Sequence, residues 1–167
     1  MSRVAPEIAG FTYVSHLGSG GFADVFLYEQ RRPSRRVAVK VLLADRVDAP
    51  TRAQFDAEAD LMALLSNHPN IVTIYQADIT DGRPYLVMEY CSNDNLGVAY
   101  KTAPLKVSAA LHAIIQIAGA VETVHRAGIL HRDIKPANVL VTAYNVPVLT
   151  DFGISVVTGD TSGAQGL

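Results

Sequence analysis

Cysteine is almost missing from this sequence: Cys91 is the single one in 167 residues. One thiol closes no internal disulfide and leaves no cysteine cluster for zinc, so a cross-linked secreted scaffold and a zinc module are both excluded, and a reducing cytoplasm is the expected location. Net charge is nearly missing too. The 14 basic and 16 acidic residues leave −2, which gives no reason to expect a nucleic acid or an anionic membrane as partner. There is no uninterrupted run of about 18 apolar residues, and Met1-Ser2-Arg3-Val4-Ala5-Pro6-Glu7 has no long apolar stretch behind its charge, so neither a leader nor a membrane-spanning segment is expected. No internal repeat is visible. What is present is a hydrophobic content of 49%, enough for a globular chain with a real core, at a length that is small for two lobes.

Chemistry concentrates in one stretch, His131-Arg132-Asp133-Ile134-Lys135-Pro136-Ala137-Asn138-Val139-Leu140, followed closely by Asp151-Phe152-Gly153. Leu140-Val141 and Val146-Pro147-Val148-Leu149 read as short strands joined by a turn at Ala143-Tyr144-Asn145, so the acids Asp133 and Asp151 are expected at neighbouring strand ends. Asp133 has the chemistry to orient a hydroxyl and take its proton, and Lys135 to neutralise charge on a migrating phosphoryl. Asn138 and Asp151 offer the hard oxygens that Mg²⁺ prefers. A lone His-Arg-Asp triplet would usually be a surface turn, but the whole string in this order is far more specific.

At these residues the chain resembles the protein kinase family, whose catalytic loop reads His-Arg-Asp-x-x-x-x-Asn and whose metal-binding motif reads Asp-Phe-Gly. Lys135, two residues after Asp133, is the form found in Ser/Thr kinases, and the bacterial type is the expected subclass. The resemblance implies an α+β fold: a five-stranded antiparallel small lobe with its αC helix, then the first part of a mainly helical large lobe. The expected division is an N-terminal extension over 1–10, the small lobe over 11–88, a hinge over 89–95 and a partial large lobe over 96–167 that ends in the activation loop, before any Ala-Pro-Glu motif. ATP and Mg²⁺, with Mn²⁺ as an alternative ion, are the implied cofactors, and a protein Ser/Thr hydroxyl is the implied acceptor. Arg132 beside Asp133 implies a phosphorylated activation loop, with Thr158, Thr161 and Ser162 the nearest hydroxyls.

Taken in order, Phe11 to Leu17 reads as a strand entering Gly18-Ser19-Gly20-Gly21-Phe22-Ala23-Asp24-Val25, from which Val25 to Tyr28 leaves as a second strand. By itself the pattern suits a plain hairpin better than a phosphate site. Under the resemblance, Leu17 and the loop Gly18 to Val25 cover ATP, with Ala23 standing where the family has a third glycine. Gln30 to Arg36 reads as a solvated, arginine-rich loop in preference to an anion site. Val37 to Leu43 is a strand holding Lys40, either a surface lysine on an edge strand or, since it shares a face with Ala38, the family's phosphate-contacting lysine. Thr51 to Leu65 reads as a helix capped by Thr51, with Phe55, Ala59 and Met62 on its apolar stripe. Glu58 beside that stripe would snorkel to solvent, or pair with Lys40 if this helix is αC. His68 is read as a turn residue.

Ile71 to Tyr75 and Pro84 to Met88 read as the fourth and fifth strands around an Asp81-Gly82 turn. Under the resemblance Met88 is the gatekeeper, Glu89-Tyr90-Cys91 the hinge, and Val25, Ala38 and Leu140 the adenine sandwich. Cys91 is expected to be inert, since nothing nearby lowers its pKa. Ser92-Asn93-Asp94-Asn95-Leu96 departs from the glycine-rich sequence common after the hinge. Ser108 to Arg126 reads as the longest helix, with Leu111, Ile114, Ile115, Ala118, Val121 and Val124 as its apolar stripe, which needs a partner and is expected to leave apolar surface open, and Gly128 at its end. His112 and His125 on it are expected to be surface or packed residues, not metal ligands. Three function classes follow: a Ser/Thr protein kinase domain truncated within its activation segment; a nucleotide-binding or scaffolding module without transfer, with self-association as a way to cover apolar surface; and a small-molecule kinase of related fold, against which stand Arg132 and the polar segment after Gly153, since both suit protein-kinase regulation.

Overall fold

The computed structural model describes residues 4–21, 23–43 and 48–151, without the side chains of residues 54 and 58. A five-stranded antiparallel sheet opens the chain: β1 (Phe11–Ser19), β2 (Ala23–Arg31) and β3 (Ser34–Leu42), then β4 (Ile74–Thr80) and β5 (Arg83–Glu89), in the order β1-β2-β3-β5-β4. Helix α1 (Ala49–Leu65) connects β3 to β4. Beyond β5 come α2 (Leu96–Thr102), α3 (Val107–Arg126), a 3₁₀ turn (Pro136–Asn138) and the hairpin β6 (Val139–Val141) and β7 (Pro147–Leu149). These are the expected α+β architecture and its small-lobe sheet.

Strand β3 is central, which removes the edge-strand reading of Lys40. Its alternation sorts the side chains cleanly. Val37, Val39 and Val41 join Phe26, Tyr28, Tyr85 and Val87 on the outer face, while Ala38 and Leu42 join Leu86 and Met88 on the inner face, packed with Phe55, Ala59 and Met62 of α1. Both faces are therefore buried, and β3 reads as a continuous apolar run for that reason. The outer face is closed by the segment before β1. Ile8 is buried there at 5% exposure, the Tyr28 hydroxyl donates to the Pro6 carbonyl at 2.6 Å, and Thr80 Oγ1 donates to the Glu7 carbonyl at 2.9 Å.

Several boundaries differ from expectation, each for a local reason. The arginine-rich stretch is not a loop: β2 runs to Arg31, β3 starts at Ser34, and the Arg35 guanidinium lies 3.6 Å over the Tyr75 ring while its Nε donates to Gln30. A cation stacked on an aromatic face needs no polar loop around it. Helix α1 starts at Ala49, because proline is tolerated in a first turn, and its cap is Asp48, whose carboxylate accepts from Thr51 N at 2.9 Å. Thr51 is therefore not the cap. Ile71 and Val72 are buried but precede β4 and pair with Leu149 instead, while β4 is an exposed edge strand whose Gln76 and Asp78 hide its apolar signal. The Asp81-Gly82 turn stands as expected, with φ of 49° and 73°, the positive pair a type I′ hairpin requires.

Helix α3 packs by a narrower face than its apolar stripe. Its buried residues are Ile117, Ala120 and Val124, whereas Leu111, Ile114 and Ile115 of the stripe are 55%, 63% and 70% exposed, the open apolar surface expected of a helix that needs a partner. Apolar residues ring much of this helix, so their spacing does not choose the packed face; small Ala120 lies there because it lets the helix come close. By length and composition α3 could also cross a membrane, although only 17% of its apolar window is buried; polar residues such as His112, Gln116 and Glu122 interrupt it, which is why no continuous run was visible. It ends as expected at Gly128, φ 79°, where Gly128 N donates to His125 O and Ile129 N to Val124 O, the paired bonds of a Schellman cap.

Candidate active site

The loop from His131 to Asn138 is fastened from beneath. His131 is buried, with Nε2 3.0 Å from the Thr150 carbonyl and Nδ1 3.3 Å from Asp133 N. A carbonyl only accepts and an amide only donates, so the Nε2-protonated tautomer satisfies both. Asn138, also buried, donates from Nδ2 to the Asp133 carbonyl and to Asp133 Oδ2, each at 2.9 Å, and its own carbonyl accepts from Thr150 N at 3.0 Å. Asn70 ties this unit to the small lobe: its Nδ2 donates to the Pro147 carbonyl at 2.8 Å and its carbonyl accepts from Leu149 N. His68 is the expected turn residue, its Nδ1 accepting from Asn70 N. Asn70, His131 and Thr150 were not among the candidate residues; the His-Pro-Asn turn and the position of His131 at the head of the motif were their only signals.

Asp133 meets Lys135 Nζ at 2.8 Å through Oδ2. The hydrogen bond from Lys135, with that from Asn138, holds the Asp133 carboxyl below its ordinary range. Across the site, Lys40 Nζ lies 3.5 Å from Asp151 Oδ1. Lys40 comes from the middle of β3, where its stem is largely buried, and Asp151 from the end of β7. Both Arg132 and Asp151 have positive φ, 61° and 51°, a backbone cost that side chains at a working site often bear. The structure thus brings Asp133, Lys135 and Asn138 into one cluster and sets Lys40 against Asp151. Glu58 lies in α1, but its side chain is outside the described residues, as are Phe22, Phe152, Gly153 and the hydroxyls of Thr158, Thr161 and Ser162.

The glycine-rich turn is tighter than expected. Ala23 and Asp24 belong to β2 and are buried, not part of an open loop, because Gly18 and Ser19 pair with Val25 and Asp24. Gly20 N donates to the Ala23 carbonyl at 2.8 Å, closing the turn, while Leu17, Ser19, Gly20 and Gly21 stay exposed. Val25, Ala38, Met88, Cys91 and Leu140, all expected at the nucleotide, pack into or against the inner-face core. Burial, with Glu89 beside it, pushes the Cys91 thiol up to about 12, in keeping with an inert cysteine. Glu89 N is taken by the Thr73 carbonyl at 2.9 Å. A cavity of about 830 Å³ lies apart from this site, between α2, α3 and the β6–β7 hairpin.

Residues 11–165 match the protein kinase domain. The chain belongs to that family. It is 42% identical over 161 residues, 95% of its length, to the serine/threonine-protein kinase PknK of Mycobacterium tuberculosis. It is 43% identical over 150 residues to the probable serine/threonine-protein kinase SCO3848 of Streptomyces coelicolor, covering 86% of this chain, and 37% identical over 158 residues to PknJ of M. tuberculosis, covering 92% of it. The matches take in 14%, 22% and 27% of those three proteins, so this kinase chain spans about a quarter of its relatives' length or less.

Proposed function

We propose that the chain is the nucleotide-binding and catalytic part of a bacterial Ser/Thr protein kinase, moving the γ-phosphoryl of ATP to a protein Ser or Thr hydroxyl. The observation that carries this reading is the Asp133 carboxylate held between Lys135 and Asn138, with Lys40 and Asp151 set against each other nearby. Asp133 orients the acceptor hydroxyl and takes its proton as the oxygen bonds to the γ-phosphorus and the bridging oxygen leaves with ADP. Lys135 offsets charge on the phosphoryl in flight. Lys40 positions the α- and β-phosphates under the Gly18 to Gly21 turn, steadied by Glu58, and a cytoplasmic location supplies the ATP.

A divalent ion, Mg²⁺ or Mn²⁺, fits the donor set. Both hydrogen-bonding contacts of the Asn138 amide nitrogen go to Asp133, which leaves Oδ1 to face a cation, and Asp151 supplies a half-exposed carboxylate. Such an ion would neutralise phosphate charge.

Asp133→Asn should lower kcat by about 10² or more while ATP still binds, measured by mass spectrometry of a phosphorylated protein substrate and by calorimetric titration with ATP. Near-normal transfer by that variant would defeat the assignment. The pH dependence has a definite sign. A carboxyl held below its ordinary range stays ionised, and able to accept a proton, down through weakly acidic pH, so the acid limb of kcat should lie below the usual carboxylate region. Lys135→Ala removes the largest cause of that shift and should move the limb to higher pH. A second reading, a self-associating module without transfer, is favoured by the exposure of Leu111, Ile114 and Ile115 on α3; retained association with no transfer under any condition would support it.

A further inference from the structure

The segment after the hinge makes a contact that the roles above do not use. Gly97, in the first turn of α2, approaches the 3₁₀ turn of the catalytic loop so closely that a Cβ on it would lie 3.0 Å from Ala137 N and 3.1 Å from Ala137 Cα, as well as 2.9 Å from Asn95 Oδ1. The first two are backbone atoms and cannot swing aside. The third is the oxygen that caps α2 by accepting from Val98 N at 3.0 Å. Ala137 is followed directly by Asn138, whose amide holds the Asp133 carboxylate. A few tenths of an ångström at Gly97 would therefore pass through Ala137 to the residue that links both halves of the site.

The same segment holds the far end of the loop. Asn93 bridges to Val141, and its Nδ2 donates to the Thr142 carbonyl at 2.7 Å. The stretch from 137 to 142 is thus gripped at Asn93 and at Gly97, with the hinge leading directly into the grip. Sequence alone placed the departure from the family's glycine-rich pattern at 92–96; the glycine that matters sterically is the next residue. Gly97 is not needed for backbone conformation, since its φ is not in the left-handed region, so its missing side chain is the property the fold uses.

We propose that Gly97 is a positioning residue for the reaction: by letting α2 rest against Ala137 it sets where Asn138 presents its side-chain oxygen, and so couples the hinge to the ion-dependent part of nucleotide binding. This rests on the reading of Asn138 as an ion ligand. A purely structural contact would affect the fold as a whole; a positioning contact affects the ion-dependent step alone.

The test is calorimetric titration of the chain with ATP, with and without Mg²⁺, and with adenosine, beside thermal unfolding. Wild type should bind ATP more tightly with Mg²⁺. Gly97→Ala should cut that Mg²⁺-dependent gain by about tenfold, as changes to the groups that orient a metal ligand do, and Gly97→Val should cut it further. Adenosine affinity should stay, and unfolding should remain a single cooperative transition even where the tighter contact lowers its midpoint. Gly119→Ala, where a Cβ would meet nothing nearer than His68 Nε2 at 4.0 Å, should change none of the binding values, and as a mid-helix glycine filled by alanine it should raise the unfolding transition slightly. Gly97→Ala keeping the full Mg²⁺ gain would overturn the inference. So would a parallel loss of adenosine and ATP binding, or loss of the cooperative transition, since either would make the contact a support of the lobe. A wild-type chain that binds ATP with no Mg²⁺ gain would refute the underlying reading of the ion site, and the inference with it; that outcome is separable because it appears before any substitution.

Discussion

The five-stranded sheet and helix α3 are both rich in large aliphatic residues, yet the chain treats them differently. The central strands of the sheet are covered on both faces, by α1 on one side and by the segment around Ile8 on the other, so that Val37, Val39 and Val87 have no exposure at all. Helix α3 is covered on one face only, against β7 and its surroundings, and turns Leu111, Ile114 and Ile115 outward. Apolar composition therefore does not say which surface is closed. What closes the sheet is a short segment before β1 that has little sequence signal: Ala5, Pro6, Glu7 and Ile8 carry neither periodicity nor a motif.

That difference is open to direct attack. The largest effect should come from Ile8→Ala. Ile8 is buried against the outer face, and removing such a side chain costs about 2 kcal/mol or more when the cavity cannot collapse. Denaturant unfolding should show that loss with an unchanged slope. A change below about 0.5 kcal/mol, the range of ordinary surface substitutions, would mean that the segment does not close the sheet in solution.

A smaller effect is expected from Tyr28→Phe, which keeps the ring and deletes the 2.6 Å hydrogen bond to Pro6. Leaving a buried carbonyl without its donor costs about 1 to 2 kcal/mol. Burial also raises the Tyr28 hydroxyl from 10.0 to about 12. The sign follows from linkage: the folded state holds this proton more tightly, so the contribution is complete below pH 10 and is lost as the pH rises towards 12. Tyr28→Phe should remove that alkaline component. An identical alkaline transition in wild type and variant, followed by far-UV circular dichroism, would contradict the contact.

How much of this was legible in sequence depends on whether the signal was local. The grouping of Asp133, Lys135 and Asn138 was, with Asp151 close after them, because these candidate residues lie in a short stretch whose spacing is set by a 3₁₀ turn and a two-strand hairpin. Lys40 was legible through the alternation of β3, and Phe55, Ala59 and Met62 through the period of α1. The pairing of Ile71 and Val72 with Leu149 was not, since an apolar run reports burial without naming the partner. Nor was the stacking of Arg35 on Tyr75, which joins residues far apart in the chain. The packed face of α3 was not legible either, for a different reason: bulky aliphatics on several sides compete for the core, and size, not hydrophobicity, decided the approach at small Ala120.

The smallest effect on stability, and the sharpest test of the comparison, belongs to that helix. Ile114→Ser and Ile115→Ser change residues that are 63% and 70% exposed, so neither loses much packing, and each should move the unfolding free energy by less than about 0.5 kcal/mol. Ile117→Ser, on the buried face at 8% exposure, should instead cost several times more, because it leaves both a cavity and a hydroxyl in the core. The serines on the outer face have a second readout. An apolar stripe left open favours association, so sedimentation of the wild-type chain should show species heavier than the monomer, and the Ile114→Ser, Ile115→Ser double variant should shift that distribution towards monomer with the fold unchanged. If Ile115→Ser instead destabilises as much as Ile117→Ser, the outer face is covered in solution after all, and the contrast between a closed sheet and a half-open helix fails.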